Sequence, residues 1–213
     1  MRNLYMHSML SVILCAALMA TAISAQADDL LVRAKLIHTA AGPAIESGAI
    51  LIRDGRIARV GREDRMRLPD GITVLEAEVV TPGFVDIRTT DGISGVYGGR
   101  AGQVRDQDQL ETSDPVQPEL RPIDAYNPAD PLVEWVRQFG VTTMHTGHGP
   151  GAVISGGTMI VKTTGDTVED ALIATDTAVA ITLGPSVENN FESPGTRSKT
   201  VALLRAALIE AQE

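Results

Sequence analysis

The sequence predicts an α/β protein in which a small β-rich unit hands over to a unit of alternating helix and strand. Two observations predict it. Before residue 81 the chain is a series of short apolar runs separated by Asp-Gly turns, and after residue 130 a capped amphipathic helix leads directly into a strand. The change of pattern falls in Val79-Val80-Thr81-Pro82-Gly83-Phe84-Val85-Asp86-Ile87-Arg88-Thr89-Thr90, where a Pro-Gly turn feeds a short strand, Phe84 to Ile87, read as buried and ending in polar residues. The expected organisation is a signal peptide at 1–27, a β unit at 28–81 and an α/β unit at 82–213.

The N-terminus comes first. Arg2 is its only charge, an apolar run spans Met9 to Ala22, and Ala25-Gln26-Ala27 supplies an A-x-A cleavage site. That run is short for a membrane span, so the pattern predicts export to the periplasm or beyond, with no membrane association after cleavage. Mass spectrometry of the exported protein should find Asp28 at the N-terminus; an intact Met1 would refute this. Cys15 lies inside the leader, so the remainder has no cysteine for a disulfide or a thiol nucleophile.

The formal charge of −9 becomes about −10 without Arg2. Scattered acidic charge argues against a nucleic-acid or anionic-membrane partner. The 44% hydrophobic content suffices for a core, and 3% aromatic content makes that core aliphatic.

In the β unit, Leu30 to Ile37 reads as a strand. Ala49-Ile-Leu-Ile-Arg53 and Arg56-Ile-Ala-Arg-Val60 flank Asp54-Gly55, the type I′ hairpin signal. Asp70-Gly71 opens a further strand, Ile72 to Leu75. About fifty residues make a sheet too small to be comfortable alone.

The α/β unit begins with a polar stretch, 91–127, whose length predicts either a lid at a strand end or disorder. Asp130 is a helix N-cap, Pro131 suits the first turn, and Gly140 suits C′. Leu132, Trp135, Val136 and Phe139 share one apolar face. Strands are expected at Val141–His145, Thr158–Lys162 and Ala178–Leu183, with a Gly-rich turn between the first two. A last helix, Thr200 to Gln212, carries Val201, Leu204 and Leu208 on one face. It has no Gly or Asn stop, and Glu210 and Glu213 oppose its dipole.

Val79–Thr90 resembles the first barrel strand of the amidohydrolase superfamily, where a Pro-Gly turn leads to Asp-x-His-x-His. Ser47-Gly48-Ala49 through Asp54-Gly55-Arg56-Ile57 to Val60-Gly61 resembles the β-sandwich, or composite, domain of that family. Pro118-Glu-Leu-Arg-Pro-Ile-Asp-Ala-Tyr-Asn127, Gly140-Val-Thr-Thr-Met-His-Thr-Gly-His148 and Pro194-Gly-Thr-Arg197 are similar to a secreted, imidazolonepropionase-like branch. The resemblance implies a composite β-sandwich followed by the first part of an incomplete (β/α)8 TIM-type barrel. From Val79 onward there are about 135 residues, against about 250 for a whole barrel, so the chain is expected to be a fragment of a longer protein. It also implies hydrolysis of non-peptide or cyclic C–N bonds with a divalent metal such as zinc. The alternative is a non-catalytic exported binding or scaffold protein on the same fold.

The candidate pocket is Asp86, Arg88, Thr90, His145, His148 and Lys162, with no catalytic residue assigned. Asp86 matches the family, but Arg88 and Thr90 stand where the histidine ligands would. Side chains at i and i+2 of a strand share a face, so both point to the barrel mouth. A guanidinium has no lone pair for a cation, and threonine offers a neutral hydroxyl. No metal is therefore expected on these residues. Arg88 pairs with Asp86 or an acid of the 91–127 loop, or it clamps an anionic, carboxylate-bearing small molecule. His145 and His148 either reach a metal or substrate together, or cap a strand and sit in a solvated turn; two nitrogens alone under-determine a zinc site. Lys162 is either a surface lysine or, by resemblance, a metal-bridging carbamylated one. Gly147-x-Gly149-x-x-Ala152 is no dinucleotide fingerprint, because Pro150 and Gly156-Gly157 oppose the helix it needs. No Gly-x-Ser-x-Gly elbow occurs. Oligomerisation is left open.

Overall fold

The computed structural model of the protein describes residues 29–67, 69, 71–95 and 108–213. The expected signal peptide and the 96–107 part of the expected loop lie outside the described residues. The chain divides between Pro82 and Gly83 into two compact units.

The first unit is one four-stranded sheet of β1 (Leu30–Ile37), β2 (Ile45–Arg53), β3 (Arg56–Arg62) and β4 (Thr73–Val80), in the order β3-β2-β1-β4. The β2–β3 turn has φ of 49° at Asp54 and 70° at Gly55, the two positive values a type I′ turn requires. β4 runs parallel to β1, so the intervening chain must cross a face of the sheet. Met66 and Ile72 of that crossing cover Leu31, Ala49 and Leu51. On the other face Val60, Ile50, Val32 and Leu75 align in one row across all four strands. Leu75 and Val79 there remain more than half exposed. The expected sandwich requires a second sheet on this face, and the described residues of this unit contain only one.

The second unit holds β5 (Phe84–Thr89), α1 (Pro131–Gln138), β6 (Val141–Gly147), β7 (Ile154–Lys162), α2 (Val168–Ala171), β8 (Leu172–Ile181), α3 (Pro185–Asn190) and α4 (Arg197–Glu210). Its sheet order is β5-β6-β7-β8. β5, α1 and β6 form one parallel β-α-β unit. A Cβ at Gly83 would run into the Thr142 side chain, so the Pro-Gly turn lets β5 approach β6 closely. β5 is an edge strand rather than a buried one, and Ile87 is 81% exposed. The expected alternation then stops, because β7 and β8 pair antiparallel. The β6–β7 connection, 148–153, is far shorter than the dozen residues a parallel crossover needs. The expected Gly-rich turn is shorter still in effect, since Ser155, Gly156 and Gly157 already belong to β7.

α1 starts and stops where its sequence says. The Asp130 carboxylate accepts from the Leu132 N–H at 2.8 Å, and Gly140 has φ 88°. Its buried side is different from the expected one. Val133 is fully buried, with Val136 beside it, against Ile93, Tyr126, Met144, Met159 and Val161; burying such a side chain contributes about 1.5–3 kcal/mol. Trp135 and Phe139 lean on each other with ring centroids 4.9 Å apart, and Phe139 is 66% exposed. α4 begins earlier than expected, capped by Thr196. Thr200 is its buried residue, and Leu203, Leu204 and Ala207 pack on Val153, Ile154 and Val187. Val201 and Leu208 are exposed.

The described part of the 91–127 stretch is neither an open lid nor a free coil. The amides of Gln117, Ile154 and Gly157 bond Ile154, Pro115 and Leu120 at 2.9, 3.1 and 2.8 Å, and Gly149 bonds Gln109 at 2.6 Å. Residues 108–121 form a strap fastened to β7 and to the loop after β6.

Candidate functional site

β8 is antiparallel to β7 and β7 to β6, so β5, β6 and β8 all point the same way. At their C-terminal end lies a cleft of 670 Å³ lined by Arg88, Thr89, Thr90, His145, Thr158 and the chain from 178 to 182. That volume suits a small molecule. Three of the candidate residues, Arg88, Thr90 and His145, therefore share one cleft. Asp86, His148 and Lys162 do not line it.

Arg88 is held by neutral groups. Its Nη1 donates to the Thr89 carbonyl, and its Nη2 makes a short bond to the His148 carbonyl. Asp86 instead accepts from the Arg88 backbone N–H at 3.0 Å. Among the described residues no carboxylate pairs with the guanidinium. Partial burial draws its pKa below the ordinary value, but arginine stays protonated.

His145 is clamped by two threonines. Its Nε2 lies 2.8 Å from Thr158 Oγ1 and 3.0 Å from Thr177 Oγ1. Thr158 Oγ1 also lies 3.2 Å from the Ala178 carbonyl and 3.1 Å from Thr177 Oγ1, so the two hydroxyls and the imidazole form one shared network that accommodates either ring tautomer. Thr177 follows Asp176, whose φ of 52° is uncommon outside glycine. The β7–β8 register shifts between Thr158 and Ile160, and such an irregularity re-aims a side chain. Sequence reading missed both threonines, because a hydroxyl on a neighbouring strand leaves no local spacing signal.

His148 goes elsewhere. It is 4% exposed, and its ring meets Gly156, where a Cβ would lie 2.5 Å from Cδ2. Neither ring nitrogen has a partner at hydrogen-bonding geometry among the described residues. Burial is the main cause that holds its pKa down; the Arg88 charge adds to it, and the backbone at Asp108 and Arg121 works against it. Lys162 is at the opposite end of the sheet, exposed, donating to Thr143 Oγ1 at 3.0 Å.

A second orphan group lies in the core below the sheet. The Tyr126 hydroxyl is buried without a partner among the described residues, and burial, with the charges of Asp130 and Asp91, pushes it up to about 12.

A divalent metal does not fit these residues. No group of three His, Cys, Asp or Glu side chains that could hold an ion occurs among the described residues, and the cleft offers one imidazole beside a guanidinium. What the cleft can do is bind an anion at Arg88, donate hydroxyl protons, and hold or move a proton at His145.

No protein-family model matches the sequence, and no curated protein matches it. Among solved structures, an amidohydrolase from Thermotoga maritima aligns with TM-score 0.77 and 21% identity, over 86% of this chain. An A. niger ochratoxinase (24% identity, 35% of this chain and 18% of that one) and an N-acetyl-D-glucosamine-6-phosphate deacetylase from Mycobacterium smegmatis (19%, 61% and 34%) overlap it with TM-scores of only 0.29. The chain spans 47% of the T. maritima chain, about half its length. Over most of its residues, the chain has an amidohydrolase-like fold.

Proposed function

We propose that the protein is a hydrolase of amidohydrolase type, of the imidazolonepropionase-like branch, acting on non-peptide or cyclic C–N bonds of small molecules. The observation that carries this reading is the cleft at the C-terminal ends of β5, β6 and β8, in a fold similar to an amidohydrolase. Binding residues at strand C-termini are the general rule for parallel α/β folds. The same likeness supports the second unit as part of a (β/α)8-type barrel, and the first as part of a composite domain. The A-x-A pattern of the leader supports a periplasmic or secreted location.

In that reaction water adds to the carbonyl carbon, the C–N bond breaks, and the amine leaves with a proton. His145 is the group in the cleft suited to hold that proton, with Thr158 and Thr177 holding its ring in place. The donor set of the cleft does not fit a metal, so the proton is held by a side chain.

The test incubates the purified protein with a cyclic imide, a lactam and an N-acyl amino acid, following amine release or ring opening. Turnover that falls at least tenfold in His145→Gln supports the reading. No turnover of any of them favours the second reading, a non-catalytic exported binding or scaffold protein. That reading is supported by Arg88 and Thr90 standing at the histidine positions of the resemblance.

A further inference from the structure

We infer that the cleft at the C-terminal end of the β5–β8 sheet binds a small amphipathic monocarboxylate, with Arg88 as its anchor. This deepens the small-molecule reading of the same cleft, but it requires no turnover.

The charge comes first. The chain carries −9 overall, yet no acidic side chain lines this cleft among the described residues, and Arg88 does. The guanidinium rests on the carbonyls of Thr89 and His148, which orient it without neutralising it. Nε and one hydrogen on each terminal nitrogen have no acceptor among the described residues. Asp86, the acid nearest in sequence, is engaged by the Arg88 backbone amide. A cation oriented by neutral groups with donors still open is what a planar carboxylate pairs with.

The opposite wall sets the body of the ligand. Val179 and Ile181 line the cleft from β8 and are both about half exposed. β8 lies three strand spacings from β5, about 14 Å. A ligand charged at one end and apolar at the other, within that span, satisfies both walls. A dianion would be under-neutralised, because Arg88 is the one Lys or Arg lining the cleft among the described residues. Beside the apolar wall a hydroxyl adds a donor: Thr182 Oγ1 accepts from the Gly151 N–H at 3.0 Å, which leaves its own proton to give.

The experiment is calorimetric titration of the purified protein with hexanoate, hexanamide, acetate and inorganic phosphate near neutral pH. Hexanoate should bind at least tenfold tighter than each of the other three. Arg88→Gln should erase the preference over hexanamide, and Arg88→Lys should retain part of it. Equal binding of hexanoate and hexanamide by the unmutated protein overturns the inference, whether or not the variants fold. So does a preference for phosphate, or an unchanged preference in folded Arg88→Gln. Hexanoate binding by a protein that hydrolyses nothing supports the inference and counts only against the hydrolase reading.

Discussion

Gly156→Ala is expected to destabilise the protein by about 3 kcal/mol, the sum of backbone strain and overpacking. Gly156 sits at φ 121°, a conformation L side chains rarely adopt, and an added Cβ would lie 2.5 Å from His148 Cδ2 and 2.8 Å from the Leu120 carbonyl oxygen. Two of the colliding groups belong to a buried ring and a backbone, neither of which can swing aside. Relief requires the strap to lift, which breaks the 2.8 Å bond from the Gly157 amide to Leu120 and uncovers His148. The neighbour makes the control. A Cβ at Gly157 meets nothing nearer than 3.5 Å, so Gly157→Ala should change stability by no more than about 1 kcal/mol. Urea unfolding of both variants checks this. A midpoint for Gly156→Ala within error of the unmutated protein would show that the strap is not held as described.

The second large effect concerns metal. Purified protein equilibrated with zinc is expected to hold no divalent ion at the β5 end of the cleft. The Arg88 charge would stand close to any cation bound there. At ~4 Å and an effective dielectric near 20, each unit of cation charge meets about 4 kcal/mol of repulsion. For a divalent ion that approaches 8 kcal/mol, or several orders of magnitude in affinity, set against one imidazole and neutral hydroxyls. Replacing Arg88→His together with Thr90→His removes the repulsion and adds two nitrogen donors, so zinc uptake by the double variant should exceed that of the unmutated protein. Elemental analysis reads both. Near-stoichiometric zinc in the unmutated protein, lost on changing His145 and His148, would overturn the prediction.

Local signals in the sequence translated faithfully. The Asp54-Gly55 turn and the Asp130, Pro131 and Gly140 helix boundaries each depend on the backbone of a few adjacent residues. Side selection did not translate, because periodicity names an apolar stripe but not what waits to cover it. On α1 the stripe with Trp135 and Phe139 was the wider one, yet the core formed under Val133. β7 was read as starting too late, since Gly156 and Gly157 signal a turn in isolation and become strand only against the strap. In the cleft, Arg88 and Thr90 were legible from the resemblance to the first barrel strand of the amidohydrolases, and His145 from its position at a strand end. Thr158 and Thr177 were not, because their meeting with His145 depends on pairing register and on the backbone at Asp176. The spacing of His145 and His148 does not reveal that His148 is buried, at 4% exposed, away from the cleft that His145 lines.

The two kinds of strand pairing in this sheet also imply an order of assembly. β6, β7 and β8 meet across short connections, so their ladders close small loops early. β5 reaches β6 only after the chain from Thr89 to Val141 has been brought back, a longer closure whose entropy is recovered last. The strand that carries Arg88 should therefore dock on a meander already formed and undock before it. Amide exchange in β5 faster than in β7 would register that order. Were β5 to dock last, the cleft would open and close by the arrival and departure of its cation, with the His145 clamp left standing.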